Sequence, residues 1–282
     1  MGTPLIQPHH QKSHGLSHST CHGFSLVELS IVLVILGLLT GGILAGQSLI
    51  RASELRTISN DAQRFATASH TFRDKYFALP GDITNATAFW GTGTCPRSTP
   101  VATAKTVTCN GNGDGWINHG AASGCSAGTE AGCNQERMRF WQHLANAGLI
   151  EGSYSGVDSA GAANFDEVPG ENVPSGRMSN SGWSIMNEGP HLTANTEWYA
   201  MPQSNVFSIG RTAANSQPHN GLLKPEEMWN IDTKMDDGRP GTGIVFVKED
   251  NNTCNNADTN PATATYALTT NSIQCVGFIA LK

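Results

Sequence analysis

Leu29 to Ile50 is a run of 22 residues without a single charge, inside the longer apolar stretch FSLVELSIVLVILGLLTGGILAGQSLI that starts at Phe24. Coiled into an α-helix, 22 residues reach about 33 Å. That is enough to cross the roughly 30 Å hydrocarbon core of a bilayer. A lone apolar span near an N-terminus is either a cleaved secretory signal or a retained anchor. A secretory signal has an apolar region of about 7–15 residues, a positive flank before it and an A-x-A-like site after it. This run is longer, its upstream flank carries only Lys12, and no such site closes it. The span therefore reads as a retained membrane helix.

Glu28 is the anomaly in that stretch. A charged side chain at the bilayer centre costs about 2.5–3.5 kcal/mol on insertion scales. The carboxylate either lies at the interface, where the cost is small, or has a partner. The rest of the chain narrows the partner classes. Its 17 Lys+Arg against 23 Asp+Glu give a net charge of −6. That balance, without a basic patch, argues against nucleic acid.

Gly23-Phe24-Ser25-Leu26-Val27-Glu28 places a Gly, a hydrophobic residue and a Glu directly before an uninterrupted apolar helix. This resembles the type IV prepilin signature, shared by type IV pilins and the pseudopilins of type II secretion. The resemblance covers roughly residues 23–77. It implies cleavage after Gly23 by a prepilin peptidase, on the cytoplasmic side of the bacterial inner membrane. Phe24 would become the N-methylated mature N-terminus. Glu28 would neutralise the terminal amine of a neighbouring subunit, and in a low-dielectric helix bundle each of those two charges needs the other. Gly37 matches a glycine where family helices loosen. Ala45 stands where the family usually has proline.

The implied function is a structural subunit of a type IV pilus or pilus-like filament, polymerising with its own copies or with other pilins through the N-terminal helix. The implied topology is a single pass, with the C-terminal part outside the cytoplasm and then in a periplasmic or extracellular filament. The further partners would be the membrane and the pilus or type II secretion assembly machinery. A type II secretion pseudopilin is the alternative within the class. A membrane-tethered surface binding module is the alternative outside it, although a mere tether would not need Gly23 and Glu28 in register. No constellation supports an enzyme. Gly37-x3-Gly41 and Gly42-x3-Gly46 fit close helix packing, or reflect the general frequency of glycine in membrane helices.

Residues 1–23 hold half of the ten histidines, four of them (His10, His14, His18 and His22) at helical spacing. Pro4 and Pro8 oppose a helix there, and the segment is one the resemblance removes, so no metal site is expected. Cysteine parity agrees with removal. Of seven cysteines, Cys21 goes with the leader. Cys95, Cys109, Cys125, Cys133, Cys254 and Cys275 remain, an even set suited to an oxidising compartment and up to three disulfides. Six cysteines allow 15 pairings. The pair best placed by local pattern is Cys254–Cys275, because a hairpin between strands at 243–248 and 272–281 brings them together.

The expected fold is α+β and pilin-like: a long N-terminal helix, half transmembrane and half amphipathic, on a head with an antiparallel sheet and short helices. The divisions are a leader at 1–23, a membrane or filament-core helix at 24–50, its amphipathic continuation at 51–80 and a disulfide-containing head at 81–282. Leu55, Ile58, Ala62, Phe65, Ser69, Phe72 and Tyr76 recur every three or four residues, a helical stripe. Pro80-Gly81 is the expected stop. Further helices are expected at 136–147, closed by Gly148, and at 224–234, opened by Pro225. Strands are expected at 183–187, 196–201, 205–211, 243–248 and 273–281. FALPGD (77–82), FWQHLANAGLI (140–150) and IDTKMDDGRPGTG (231–243) resemble phrases of larger prepilin-type proteins, which implies a large head.

One loop has the pattern of a metal site. Asn110, Asn112 and Asp114 alternate with glycines, Trp116 can add its carbonyl, and Ile117 can anchor the loop. Calcium takes about six to eight oxygens in such loops. Ala121 stands at the position of the usual closing Glu, so Glu130 or Glu136 would have to substitute from a distance. The other reading is a plain Gly/Asn turn, and calcium is not required by the fold. Asp236-Asp237-Gly238 is a second acidic turn. Gly124-Cys125-Ser126-Ala127-Gly128 spells a nucleophile elbow, but the strand and helix that motif needs are missing from its flanks.

Overall fold

The computed structural model describes residues 24–92, 107–117, 136–157, 166–188, 204–214, 216–247, 254–256 and 260–282. The expected strand at 196–201, Glu130, and Cys95, Cys125 and Cys133 lie outside them. The fold is α+β. A long N-terminal helix is followed by short helices and a four-stranded antiparallel sheet. The chain divides into two units, Met1–Ile50 and Arg51–Lys282.

Helix α1 (Leu26–Tyr76) is 51 residues long. Its apolar portion is long and hydrophobic enough to cross a membrane, and none of its most hydrophobic window is buried. In the second unit the same helix buries one face: Ile58, Ala62, Phe65, Ala68, Ser69 and Phe72. Leu55 and Tyr76 flank that face, half-buried against the core. The helix stops before the expected Pro80-Gly81. Phe77 turns left-handed at φ 57°, after its N–H closes on Arg73 O at 2.8 Å.

Helix α2 (Ala86–Trp90) is a single turn that no periodicity announces. Helix α3 (Glu136–Asn146) ends at Gly148, whose φ of 72° suits a residue without Cβ. Strands β1 (Ser181–Glu188) and β2 (Ser204–Arg211) pair antiparallel along their full length. Helix α4 (Pro225–Met235) has Pro225 in its first turn, and Glu227 accepts the Lys224 N–H at 2.9 Å. Strand β3 is only Val245–Phe246, and β4 is Gly277–Ala280, both shorter than the apolar runs that contain them. The sheet order is β1-β2-β4-β3. Cys254 and Cys275 are disulfide-bonded, with Cα atoms 5.2 Å apart, where the antiparallel β3–β4 pairing draws the ends together. Cys109 is disulfide-bonded as well.

Phe65 ties the layers together. Its ring centroid lies 4.9 Å from Trp141 on α3, 5.4 Å from Trp183 on β1 and 6.1 Å from Phe207 on β2. The other sheet face is buried too, by a second cluster of Met186, Val206, Phe246, Val276 and Phe278. With both faces covered, the strands lose the in–out alternation of a half-exposed sheet.

Two buried polar groups brace this core. Arg137 ion-pairs with Glu167, both essentially buried, and also donates to Ser184 Oγ at 3.0 Å and to Gln217. His143 accepts the Gly81 N–H on Nδ1 at 2.9 Å, which leaves Nε2 to donate to Thr108 Oγ1 at 2.8 Å. Its ring stacks on Phe72 and Trp90. Burial, with the nearby Arg139 guanidinium, pushes the His143 imidazole down to about 3. The folded protein therefore refuses a proton that the unfolded chain accepts below its ordinary 6.5. This term withdraws stability as pH falls from about 6.5 toward 3. Imidazole NMR should show His143 neutral as the Nε2–H tautomer at pH 5; a midpoint near 6.5 would contradict this placement.

Candidate functional site

The 110–117 loop is built around a residue some thirty positions upstream. The Asp82 carboxylate, 3% exposed, accepts the N–H groups of Gly113 at 2.6 Å, Asp114 at 3.2 Å and Gly115 at 2.9 Å. Glu136, fully buried at the start of α3, accepts the Asn112 N–H at 2.9 Å. Gly81 makes the approach possible, since a Cβ there would stand 2.4 Å from Glu136 O. On its other side the loop is held by Asn205, which accepts from Ile117 N at 2.8 Å and donates to Gly115 O at 3.1 Å. Ile117 is fully buried and anchors the loop.

These contacts bring Asp82, Asp114 and Glu136 together, with one carboxylate oxygen from each within 4.8 Å of the others. They are the residues here that could hold a metal ion. Burial raises Asp82 above the usual carboxylate range, the loop N–H groups pull it down, and the Asp114 charge raises it again. Asn112 braces Asp114, donating to Oδ2 and accepting from its N–H, each at 2.9 Å. Asp114 Oδ1 accepts the Trp116 N–H at 2.8 Å. Asn110 turns elsewhere, its Oδ1 accepting the Thr87 N–H at 3.0 Å. Local spacing points to Asn112 and Asp114, and Glu136 is one of the two distant carboxylates, with Glu130, that the sequence offers; Asp82 is found only once the fold closes.

Toward the N-terminus, Phe24 and Ser25 directly precede α1 and Glu28 lies in its first turn, while Gly23 lies outside the described residues. Glu28 Oε2 accepts the Ser25 N–H at 2.8 Å, and Ser25 Oγ accepts the Val27 N–H at 3.3 Å. Glu28 supplies the reciprocal half of a capping box and Ser25 caps the next turn residue, and together they satisfy donors that a helix start leaves open. Phe24, Ser25 and Glu28 are all exposed. The carboxylate is thus held by its own first turn, and an uncharged, mostly apolar run follows it.

Residues 18–44 match the prokaryotic N-terminal methylation motif. The matched segment contains Gly23, Phe24 and Glu28 and most of the apolar run. It is the hallmark of type IV pilins and pseudopilins. The methylation motif and the membrane-length helix together are consistent with membrane anchoring, prepilin-peptidase processing and polymerisation with pilins. No curated protein and no solved structure matches the chain.

Proposed function

We propose that the chain is a structural subunit of a type IV pilus or pilus-like filament, cut after Gly23 and polymerised through α1. The observation that carries this reading is one helix with two uses. Its first part bears the methylation motif and leaves its apolar side chains exposed, and its second part builds Phe65 and Phe72 into the core of the second unit. A helix that only tethered a domain would need neither the motif nor the Glu28 register. After cleavage the second unit stays on the non-cytoplasmic side of the membrane, where its cysteines can oxidise. The test is a tagged full chain in a host with a pilus or secretion machinery. The protein is expected in the sheared filament fraction, and its confinement to the inner membrane would count against polymerisation.

Asp82, Asp114 and Glu136 belong to this reading as a calcium position that stiffens the second unit. Two of the carboxylates are buried beside one another, and a divalent cation would relieve their repulsion. With so few charged oxygens the affinity should be modest, about 10⁻⁴–10⁻³ M, as in extracellular modules. Millimolar calcium should then raise the melting temperature of the full chain by mass action. Asp114→Ala should abolish that rise; an unmoved wild-type curve would reduce the loop to a turn.

A further inference from the structure

Asp232 sits near the end of α4 and is fully buried. Its carboxylate accepts from Tyr266 Oη at 2.8 Å and from Gly238 N at 3.1 Å. Asp236 and Asp237 close on it from the end of the same helix, so that carboxylate oxygens of all three lie within 4.8 Å of one another. Each also holds the chain that follows. Asp236 Oδ2 accepts the N–H groups of Ile244 and Val245. Asp237 accepts from Arg239 N at 2.9 Å and from Thr242 Oγ1 at 2.6 Å. The turn from 236 to 245 is therefore strung on carboxylate acceptors from one helix end and leads directly into β3.

Little offsets the negative charge. Among the described residues, the groups acting on Asp232 are Asp236, Asp237, the Tyr266 hydroxyl and the Gly238 N–H. Arg239 spends a guanidinium N–H on Ala262 O at 2.6 Å. Lys234 lies in the last turn of α4. Among the described residues no ion pair reaches the trio. The trio also sits at the C-terminal, negative end of a helix. Three carboxylates this close, one of them out of water, cannot all ionise without repelling one another.

We propose that a proton kept on Asp232, beside Asp236 and Asp237, latches the 236–245 turn onto the end of α4, and that its loss lets the turn open. Asp232 is the member of the trio that water reaches least. Burial pushes Asp232 up to about 7, the Tyr266 and Gly238 donors pull against this, and Asp237 and Asp236 add to it. The folded state thus holds a proton that the unfolded chain releases near 3.8. The latch is closed below neutrality, and the favourable contribution is lost as pH rises toward 7 and above.

Hydrogen exchange on the full chain in detergent, with chelator present, tests this. Rates are compared at pH 6 and pH 8.5 after correction for the intrinsic pH dependence of exchange. Peptides covering 236–247 are expected to exchange roughly tenfold faster at the higher pH, while β2 peptides stay unchanged. Asp232→Asn removes the titrating group while keeping one acceptor oxygen for the Gly238 N–H and should remove the rise. Asp237→Asn, at an exposed position that leaves the core intact, should shrink it. A flat wild-type profile, or a rise that survives Asp232→Asn, would overturn the latch.

Discussion

Glu28→Ala is expected to insert into the membrane as well as the wild type and to disappear almost entirely from filaments. Insertion should be untouched because removing a carboxylate from an apolar run lowers its cost of entry. Assembly, on the proposed function, brings the Phe24 amine of a neighbouring subunit against the Glu28 carboxylate inside a helix bundle. Breaking such a pair by removing one partner costs about 3–5 kcal/mol, since the other charge stays buried without compensation. At 1.4 kcal/mol per tenfold, that is roughly a hundred-fold to a few-thousand-fold loss per contact. Glu28 also caps its own helix through the Ser25 N–H, so Ala removes two things at once. Glu28→Gln separates them, because an amide oxygen still closes a capping box but carries no charge. Gln should fail like Ala. If Gln restores assembly, the cap rather than the charge is what filaments require. If Ala itself assembles normally, the pairing role is wrong.

Phe65→Ala should be the most damaging single truncation in the second unit. The side chain is 2% exposed and its ring meets Trp141 on α3, Trp183 on β1 and Phe207 on β2. Deleting a buried Phe costs about 3–5 kcal/mol, the transfer term plus the cavity left behind. Three large aromatics held by their own strands and helix cannot easily collapse into that space. Chemical denaturation of the full chain in detergent should show this loss, and Phe65→Leu should recover part of it. A loss below about 1 kcal/mol would mean that α1 is not the central layer of the core.

The sequence displays α1 well, because a helical period of three and four survives from Leu55 to Tyr76 whatever packs against it. The Cys254–Cys275 bond is legible for a related reason, as the hairpin between two apolar runs points to it. Strand limits are harder to read. Val206 and Phe278 look inward to a second cluster, so β2 and β4 carry apolar residues on both faces and alternation no longer marks their ends. The α1 stop is hidden because Phe77, not a glycine, takes the left-handed turn. Helix α2 is too short to have a period. At the metal-like loop, Asn112 and Asp114 are visible by spacing, but Asp82 reaches the loop only through the fold, and Asn110 is diverted to Thr87 by the one-turn helix α2.

The central claim is that this chain is processed as a prepilin, and the mature N-terminus decides it. Intact mass and N-terminal sequencing of the protein from the membrane of a host with a prepilin peptidase report cleavage, methylation and disulfides together. The expected species has 282 − 23 = 259 residues. It begins at N-methylated Phe24 and loses two hydrogens for each disulfide. A chain that still begins at Met1, or one that begins beyond Ile50, would contradict the account.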